Sequence, residues 1–456
     1  MRFLIIVHEF TPAKSPRAYR WGAIAEQLVH KGHQVDVVCG WKPDLAREEP
    51  GLVHVVRVGS RLTATLRQKF ARSSGGNRQR AAPIERQPSA RREPLLAKVA
   101  SWAYYHLWKP LYWPDAQCSF VLPALRAARQ LLRVHRYDAL ITVSLPFSCH
   151  LIGLALKRRD PRPRWIVDIG DPFALLHDIP LNNHRLYGRL NHRVETAVLR
   201  GADHIAMTTR GALEHYRREF DFNAEKVSII PPLQSLPAER VRVGESTPGA
   251  ASSRIVRMVY CGRVYNDIRS PAYLLKLLRR LIEVNSHRNS PQLHFLGSLG
   301  DCHHVFEPYR DLIDKHLFLH GEVERATVAA TLRNADVLIN IGNSTSHQLP
   351  SKIVEYIGMG KPIVNLISHD QDCTLELLAD YPAALNLRCH EDTIEENVSR
   401  TVQLIERLPI VIPCEKLTAL QAPFLPETIA AAYLRLASSG QASWSCAAFD
   451  GAHAGS

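Results

Sequence analysis

Short apolar runs alternate along this chain with amphipathic stretches, a pattern that predicts strands followed by helices. In the first half, strands are expected at Arg2 to His8, Gln34 to Cys39, His54 to Val58, Ala139 to Val143, Arg164 to Asp168, His204 to Thr208 and Val227 to Ile230. Helices such as Trp21 to Lys31 and Leu122 to Val134 fall between them. The alternation stops at residues 231–254, where Pro, Ser and Gly dominate and a linker is expected. A second series follows at Arg257 to Cys261, Leu293 to Gly297, His316 to His320, Asp336 to Ile341, Pro362 to Ile367 and Ala383 to Leu387. Strands alternating with helices imply parallel, doubly wound sheets, so the expected class is α/β with two Rossmann-like domains facing across a cleft. Their expected limits are 1–232 and 255–425, with a linker at 233–254 between them. A last helix at 426–437 is able to pack on either domain, and the tail at 438–456 has too little apolar content to order itself.

Composition fits this picture. At 456 residues with 46% hydrophobic and 22% charged, the chain suits two or three globular domains. No run of eighteen apolar residues is present and the N-terminal apolar run is too short for a signal peptide, so a cytoplasmic protein is expected. Nine cysteines without a C-x-x-C pair fit reduced thiols rather than a disulfide frame or zinc site. The formal charge of +13 is concentrated in a basic insertion at 61–93, followed by the aromatics Trp102, Tyr104, Tyr105, Trp108, Tyr112 and Trp113. Basic residues beside such aromatics suit peripheral contact with an anionic membrane at the inner face of the plasma membrane; a solvated loop leading to core aromatics fits equally well. No nucleic-acid-binding motif accompanies the charge.

The most informative chemistry lies in residues 335–366, ADVLINIGNSTSHQLPSKIVEYIGMGKPIVNLI. A buried strand runs into a polar loop, and a short helix opens at Pro350-Ser351-Lys352. A lysine in the first turn conflicts with the helix dipole, and a bound phosphate would resolve the conflict. Glu355 falls on the same face three residues on, where a carboxylate is able to accept from two sugar hydroxyls; together these describe a nucleotide site, and a solvated lysine beside a surface glutamate fits the spacing equally well. After the first strand there is no G-x-G-x-x-G, which removes the main support for a dinucleotide fold of the dehydrogenase type. Ser15-Pro16 is instead expected to cap a helix that presents Arg17 and Arg20.

The chain resembles the large retaining family 4 of glycosyltransferases with the GT-B fold, and bacterial surface-polysaccharide glycosyltransferases in particular. The likeness runs from residue 1 to about 437 and rests on SPRAYRWGAIAEQLVHKGHQVDVVCG at 15–40, WIVDIGDPF at 165–173, YCGRVYNDIRSP at 260–271 and PSKIVEYIGMGKPIV at 350–364. It implies that Glu355 is the last glutamate of an E-x7-E element holding the donor ribose; His347 stands where many members have the first. It implies that Arg263 contacts the donor diphosphate, with Arg269 and Lys352 as substitutes for the usual lysine. Ser351 adds the backbone of the same helical turn, and Gly321 and Val323 border the base. On the acceptor side, Asp168 and Asp171 belong to a D-x-x-D-P-F element whose usual arginine is Gly170 here. Either carboxylate is able to bind acceptor hydroxyls if the strand ends at Asp168. His150, in SLPFSCH, follows a strand nearby and is a further acceptor-side candidate, although a lone histidine in an early helical turn is more often a satisfied cap or core residue.

These resemblances imply an enzyme that moves a sugar from a nucleoside-diphosphate sugar to a glycan or lipid-linked acceptor, with retention of configuration. Charge developing on the diphosphate would be met by Arg263, Arg269 and Lys352, with Asp171 the carboxylate on the opposite side, so neither cofactor nor metal is expected. Asp370-Gln371-Asp372, superficially a D-x-D metal motif, is read as a polar loop. Two other readings stand beside this one: a non-catalytic scaffold binding a membrane or partner, and a nucleotide-sugar epimerase.

Overall fold

The computed structural model describes residues 1–41, 51–59, 108, 110–176, 180–235, 254–285 and 289–438. The basic insertion at 61–93, the aromatics Trp102, Tyr104 and Tyr105, most of the linker and the tail beyond 438 lie outside the described residues. Of the later aromatics, Trp108 is exposed and Tyr112 is buried, while the Trp113 indole N–H donates to Asn191 Oδ1 at 2.9 Å.

The described residues form two compact units, one comprising those up to Leu233 together with Leu425–Ser438, the other those of Gln234–Phe424. In the first, the strands are β1 (Arg2–Ile6), β2 (Gln34–Gly40), β3 (His54–Val58), β4 (Ala139–Ser144), β5 (Arg164–Ile169), β6 (His204–Met207) and β7 (Val227–Ile229). Its helices are α1 (Pro16–His30), α2 (Val121–Val134), α3 (Ser148–Arg159), α4 (His184–Gly201) and α5 (Arg210–Glu219). The strands pair in parallel in the order β3-β2-β1-β4-β5-β6-β7. Because helices cover both faces, β1 is apolar from Phe3 to Ile6: Leu4 and Ile6 enter one core, Phe3 and Ile5 the other.

In the second unit the strands are β8 (Arg254–Cys261), β9 (Asn289–Leu296), β10 (Leu317–Gly321), β11 (Val337–Ile341), β12 (Ile363–Ile367) and β13 (Ala384–Arg388). The helices are α6 (Ala272–Asn285), α7 (His303–Phe306), α8 (Arg325–Arg333), α9 (Lys352–Met359), α10 (Cys373–Leu378), α11 (Ile394–Glu406) and α12 (Cys414–Gln421). The parallel order is β10-β9-β8-β11-β12-β13. Register on one side is held by a row of amides, buried at Asn340 and Asn365 and half-buried at Asn386: Asn340 donates to Asn365 Oδ1 at 2.7 Å, and Asn365 to Asn386 Oδ1 at 2.8 Å. A one-residue slip would leave these polar groups unpaired in the core.

A final helix, α13 (Pro426–Ser438), returns to the first unit. Its Ile429, Tyr433 and Leu436 join Trp21, Ile24 and Leu28 of α1 in one core, and the Trp21 and Tyr433 rings lie 4.9 Å apart. In each sheet the order reverses beside the first strand of the unit, at β1/β4 and at β8/β11. Loops leaving the carboxyl ends of strands that flank such a reversal line the usual ligand position of doubly wound sheets.

Candidate functional site

In the second unit, two loops at the β8/β11 reversal are bound to each other. Past β8 the backbone folds back so that Tyr265 N donates to Arg269 O at 3.2 Å and Arg269 N to Tyr265 O at 3.0 Å. Arg269 Nε then donates to Asn343 Oδ1 at 2.9 Å, Ser344 N to Ile268 O at 2.8 Å and the Ser344 hydroxyl to Asp267 O at 3.0 Å. Arg263 is exposed, its guanidinium 5.2 Å from the Tyr265 ring centroid. The β11 loop ends at Ser351, which is exposed and makes no side-chain capping bond, and Lys352 opens α9. The Cys261 thiol at the end of β8 is pushed up, chiefly by burial, with Lys352 opposing and Glu355 reinforcing the shift. Both charges of α9 therefore bear on the end of β8, where Arg263 begins.

Glu355 is buried, and its Oε1 accepts from the backbone N–H of Ser235 at 3.0 Å and from the Ser235 hydroxyl at 2.5 Å. The Arg325 guanidinium donates to the Ser235 carbonyl. Gly321 ends β10 at φ +65°, and its carbonyl accepts from Gly297 N at 2.8 Å. Val323 packs against the core under α9. His347 is half-buried in the β11–α9 loop.

Asp370 and Asp372 have separate roles. Asp370 is exposed and pairs with Arg388. Asp372 is not part of a solvated polar loop but is buried, capping α10 by accepting from Thr374 N at 2.9 Å and the Thr374 hydroxyl at 2.6 Å. Among the described residues no cluster of three or more His, Cys, Asp or Glu side chains is arranged to hold a metal ion.

In the first unit, Ser15 Oγ caps α1 by accepting from Ala18 N at 3.2 Å, with Pro16 in the first turn. The helix starts at Pro16, five residues before the apolar period begins at Trp21, because the cap rather than the periodicity sets its start. Arg17 reaches across to Asp171, Nη2 to Oδ2 at 2.9 Å. A Cβ at Gly170 would lie 2.7 Å from Arg17 Nη1, so the guanidinium fills the space a side chain at 170 would need. Where the family's motif has an arginine, this chain brings one from α1.

Three expectations are corrected. Strand β5 continues one residue past Asp168, and Asp168 is turned inward: buried, it accepts from the Trp21 indole N–H at 3.0 Å. Burial pushes its carboxyl up against the opposing pull of Arg20 and Arg17. Arg20 is likewise structural, donating to Pro231 O at 2.7 Å and to the Tyr433 hydroxyl at 3.4 Å. His150 is a core residue: it is buried, with Nδ1 2.8 Å from Thr142 Oγ1. Asp171 and Arg17 remain at the surface of the first unit, with side chains 40% and 24% exposed.

Burial and, secondarily, Arg17 hold the His150 imidazole down at about 3. The unfolded chain thus takes up a proton near pH 6.5 that the folded chain refuses, so this group makes stability fall as pH drops from about 6.5 toward 3, by up to about 1.4 kcal/mol per unit. Urea titrations at pH 6.5, 5.5 and 4.5 should show a shallower loss in His150→Asn than in wild type; parallel slopes would refute this.

Residues 18–232 match the glycosyl transferase 4-like domain. Among curated proteins none matches significantly. Sucrose-phosphate synthase from Thermosynechococcus elongatus superposes with a TM-score of 0.60 at 14% identity, covering 95% of this chain and 98% of that one. WaaG, a glycosyltransferase involved in lipopolysaccharide biosynthesis, gives 0.54 at 12% identity over 94% and 98%. The lipopolysaccharide outer core galactosyltransferase WaaB gives 0.54 at 10% over 96% and 99%. At these identities the likeness is one of fold.

Proposed function

We propose that this chain, a GT-B glycosyltransferase of the family 4, group 1 type, moves a sugar from a nucleoside diphosphate to a hydroxyl of a glycan or lipid-linked acceptor. The observation that supports the proposal is the bonding of the β8 and β11 loops, in which Arg269, from the same loop as Arg263, donates to Asn343 in the loop that leads to Lys352. As the bond from the anomeric carbon to the diphosphate breaks, negative charge builds on the leaving oxygens. Cations fixed in advance stabilise that charge without reorganising during the reaction. No divalent metal is needed for this step if the three side chains share the charge. Glu355 would take the ribose, whose hydroxyls would displace the Ser235 hydroxyl and N–H that donate to its Oε1 here.

On the acceptor side the proposal uses Asp171, oriented by Arg17, rather than Asp168 or Arg20. Retention of configuration follows from the family resemblance, and a role in surface polysaccharide or glycoconjugate synthesis is suggested by WaaG and WaaB.

The test is a thermal-stability screen of nucleoside diphosphates and their sugars. A nucleotide at one hundred times its dissociation constant should add about 2.7 kcal/mol. In Glu355→Ala the affinity for that nucleotide should fall by roughly ten- to several-hundred-fold, the equivalent of one or two hydrogen bonds to a charged group. Stabilisation by no member of the panel, or undiminished affinity in Glu355→Ala, would defeat the donor-site assignment.

A further inference from the structure

The carboxylate assigned to the donor ribose is occupied by the chain itself. Gln234 and Ser235 lie against α9, and each is held there by bonds of its own. Gln234 is buried, and its backbone N–H donates to Phe424 O at 2.8 Å. Its side chain rests on Gly358, three residues beyond Glu355: a Cβ at 358 would come 2.2 Å from Gln234 Nε2. The Gly358 carbonyl accepts from Gln421 Nε2 at 2.8 Å, so this turn of α9 is fixed from a second side as well.

Ser235 follows with its N–H, hydroxyl and carbonyl all engaged. The N–H and the hydroxyl donate to Glu355 Oε1, and the carbonyl accepts from Arg325 at the start of α8. Both lone pairs of Oε1 are therefore taken, and a ribose hydroxyl bonds that oxygen only after Ser235 leaves it. In the ligand-free chain the serine satisfies a buried carboxylate that would otherwise lack these donors. When a ligand binds, the same bonds oppose it. The apparent dissociation constant is the intrinsic one divided by the fraction of chains in which the carboxylate is open.

We propose that Gln234 and Ser235 form a strap that competes with the donor ribose for Glu355, so that nucleotide affinity is set by how firmly this segment is held. The inference rests on the reading of Glu355 as the ribose carboxylate and adds a regulation of that site. A ligand that places a diol on Glu355 must lift the strap, whereas one without a diol binds with the strap in place. Gly358 belongs to the device, because a side chain there would lift Gln234 and with it Ser235.

Isothermal titration of the full chain with the nucleoside diphosphate that best stabilises it tests this. Ser235→Ala should bind that nucleotide about tenfold more tightly than wild type, since the strap has lost one bond to a charged group. Ser235→Thr keeps the hydroxyl and should stay near wild type. The dideoxy form of the same nucleotide, lacking both ribose hydroxyls, should gain nothing in Ser235→Ala. Ser235 is half-buried, so loss of its hydroxyl should leave the fold intact, and Ser235→Gly offers the same comparison. Affinity that is unchanged or weaker in both Ser235→Ala and Ser235→Gly, or an equal gain for the dideoxy form, overturns the strap and leaves the donor-site assignment standing. Undiminished affinity in Glu355→Ala instead removes that assignment, and the strap with it.

Discussion

Lys352→Ala should lower the rate of sugar transfer by about 10²–10³ while the melting temperature stays where it is. The reason is the position of this side chain. It opens α9 where the helix dipole disfavours a cation, is half-exposed, and contributes to neither core of the second unit. On the mechanism proposed above, its removal would relieve a small electrostatic cost in the resting protein and withdraw a charge needed only as the diphosphate departs. Steady-state kinetics with the nucleotide sugar that best stabilises the protein would measure the effect. If kcat is unchanged and only KM rises, Lys352 holds donor and transition state equally, and its assignment as a group that stabilises the leaving diphosphate is wrong. Arg263→Ala should follow the same pattern, since Arg263 is exposed beside Tyr265. The double variant should lose less than the product of the two factors, because both act on one developing charge.

Gly297→Ala should destabilise the second unit by about 3 kcal/mol or more, the largest stability effect expected of a one-carbon change here. The residue follows β9 at φ +136°, a conformation that L side chains rarely adopt. A Cβ there would lie 2.1 Å from the Gly262 carbonyl oxygen, which belongs to backbone and cannot swing aside. Relief requires the ends of β8 and β9 to separate, which would break the bond from Gly262 N to Leu296 O at 2.9 Å. Urea denaturation followed by circular dichroism would measure the loss, and a midpoint within experimental error of wild type would show that this close approach is not a constraint. Nucleotide affinity should fall with it, since Gly262 precedes Arg263 and Gly321 accepts from Gly297.

Much of the fold was legible in the apolar periodicity because doubly wound sheets bury both faces of their strands. The strands expected around 257–261, 336–341 and 362–367 are observed at Arg254–Cys261, Val337–Ile341 and Ile363–Ile367. Local cap chemistry was legible too, at Ser15 and Pro16. The environment of Asp168 was not, because what buries it comes from far along the sequence: Trp21 on α1 and Tyr433 on α13. The asparagine row across β11, β12 and β13 had a signal that went unread, one amide in each of VLINI, IVNLI and ALNLR. At the candidate site, the place of Lys352 and Glu355 in the first turn of α9 was legible from spacing, whereas the hold of Asn343 on Arg269 depends on two loops meeting and left no local mark. The fit of Arg17 over Gly170 is of the same kind, since an absent side chain shows its purpose only once its neighbour is known.

The route of the chain through the first unit has a consequence for biosynthesis. The chain leaves that unit at Leu233 and returns at Leu425, so α13 emerges from the ribosome only after about 190 further residues have been made. At typical elongation speeds of 5–20 residues per second that is a delay of roughly 10–40 s. Throughout it, the surface of α1 that Ile429, Tyr433 and Leu436 will cover is bare, with Trp21 and Leu28 at its centre. The first unit is thus exposed to nascent-chain chaperones and to aggregation until translation is nearly over, and a stop codon anywhere between the units would yield an N-terminal fragment without its last core helix.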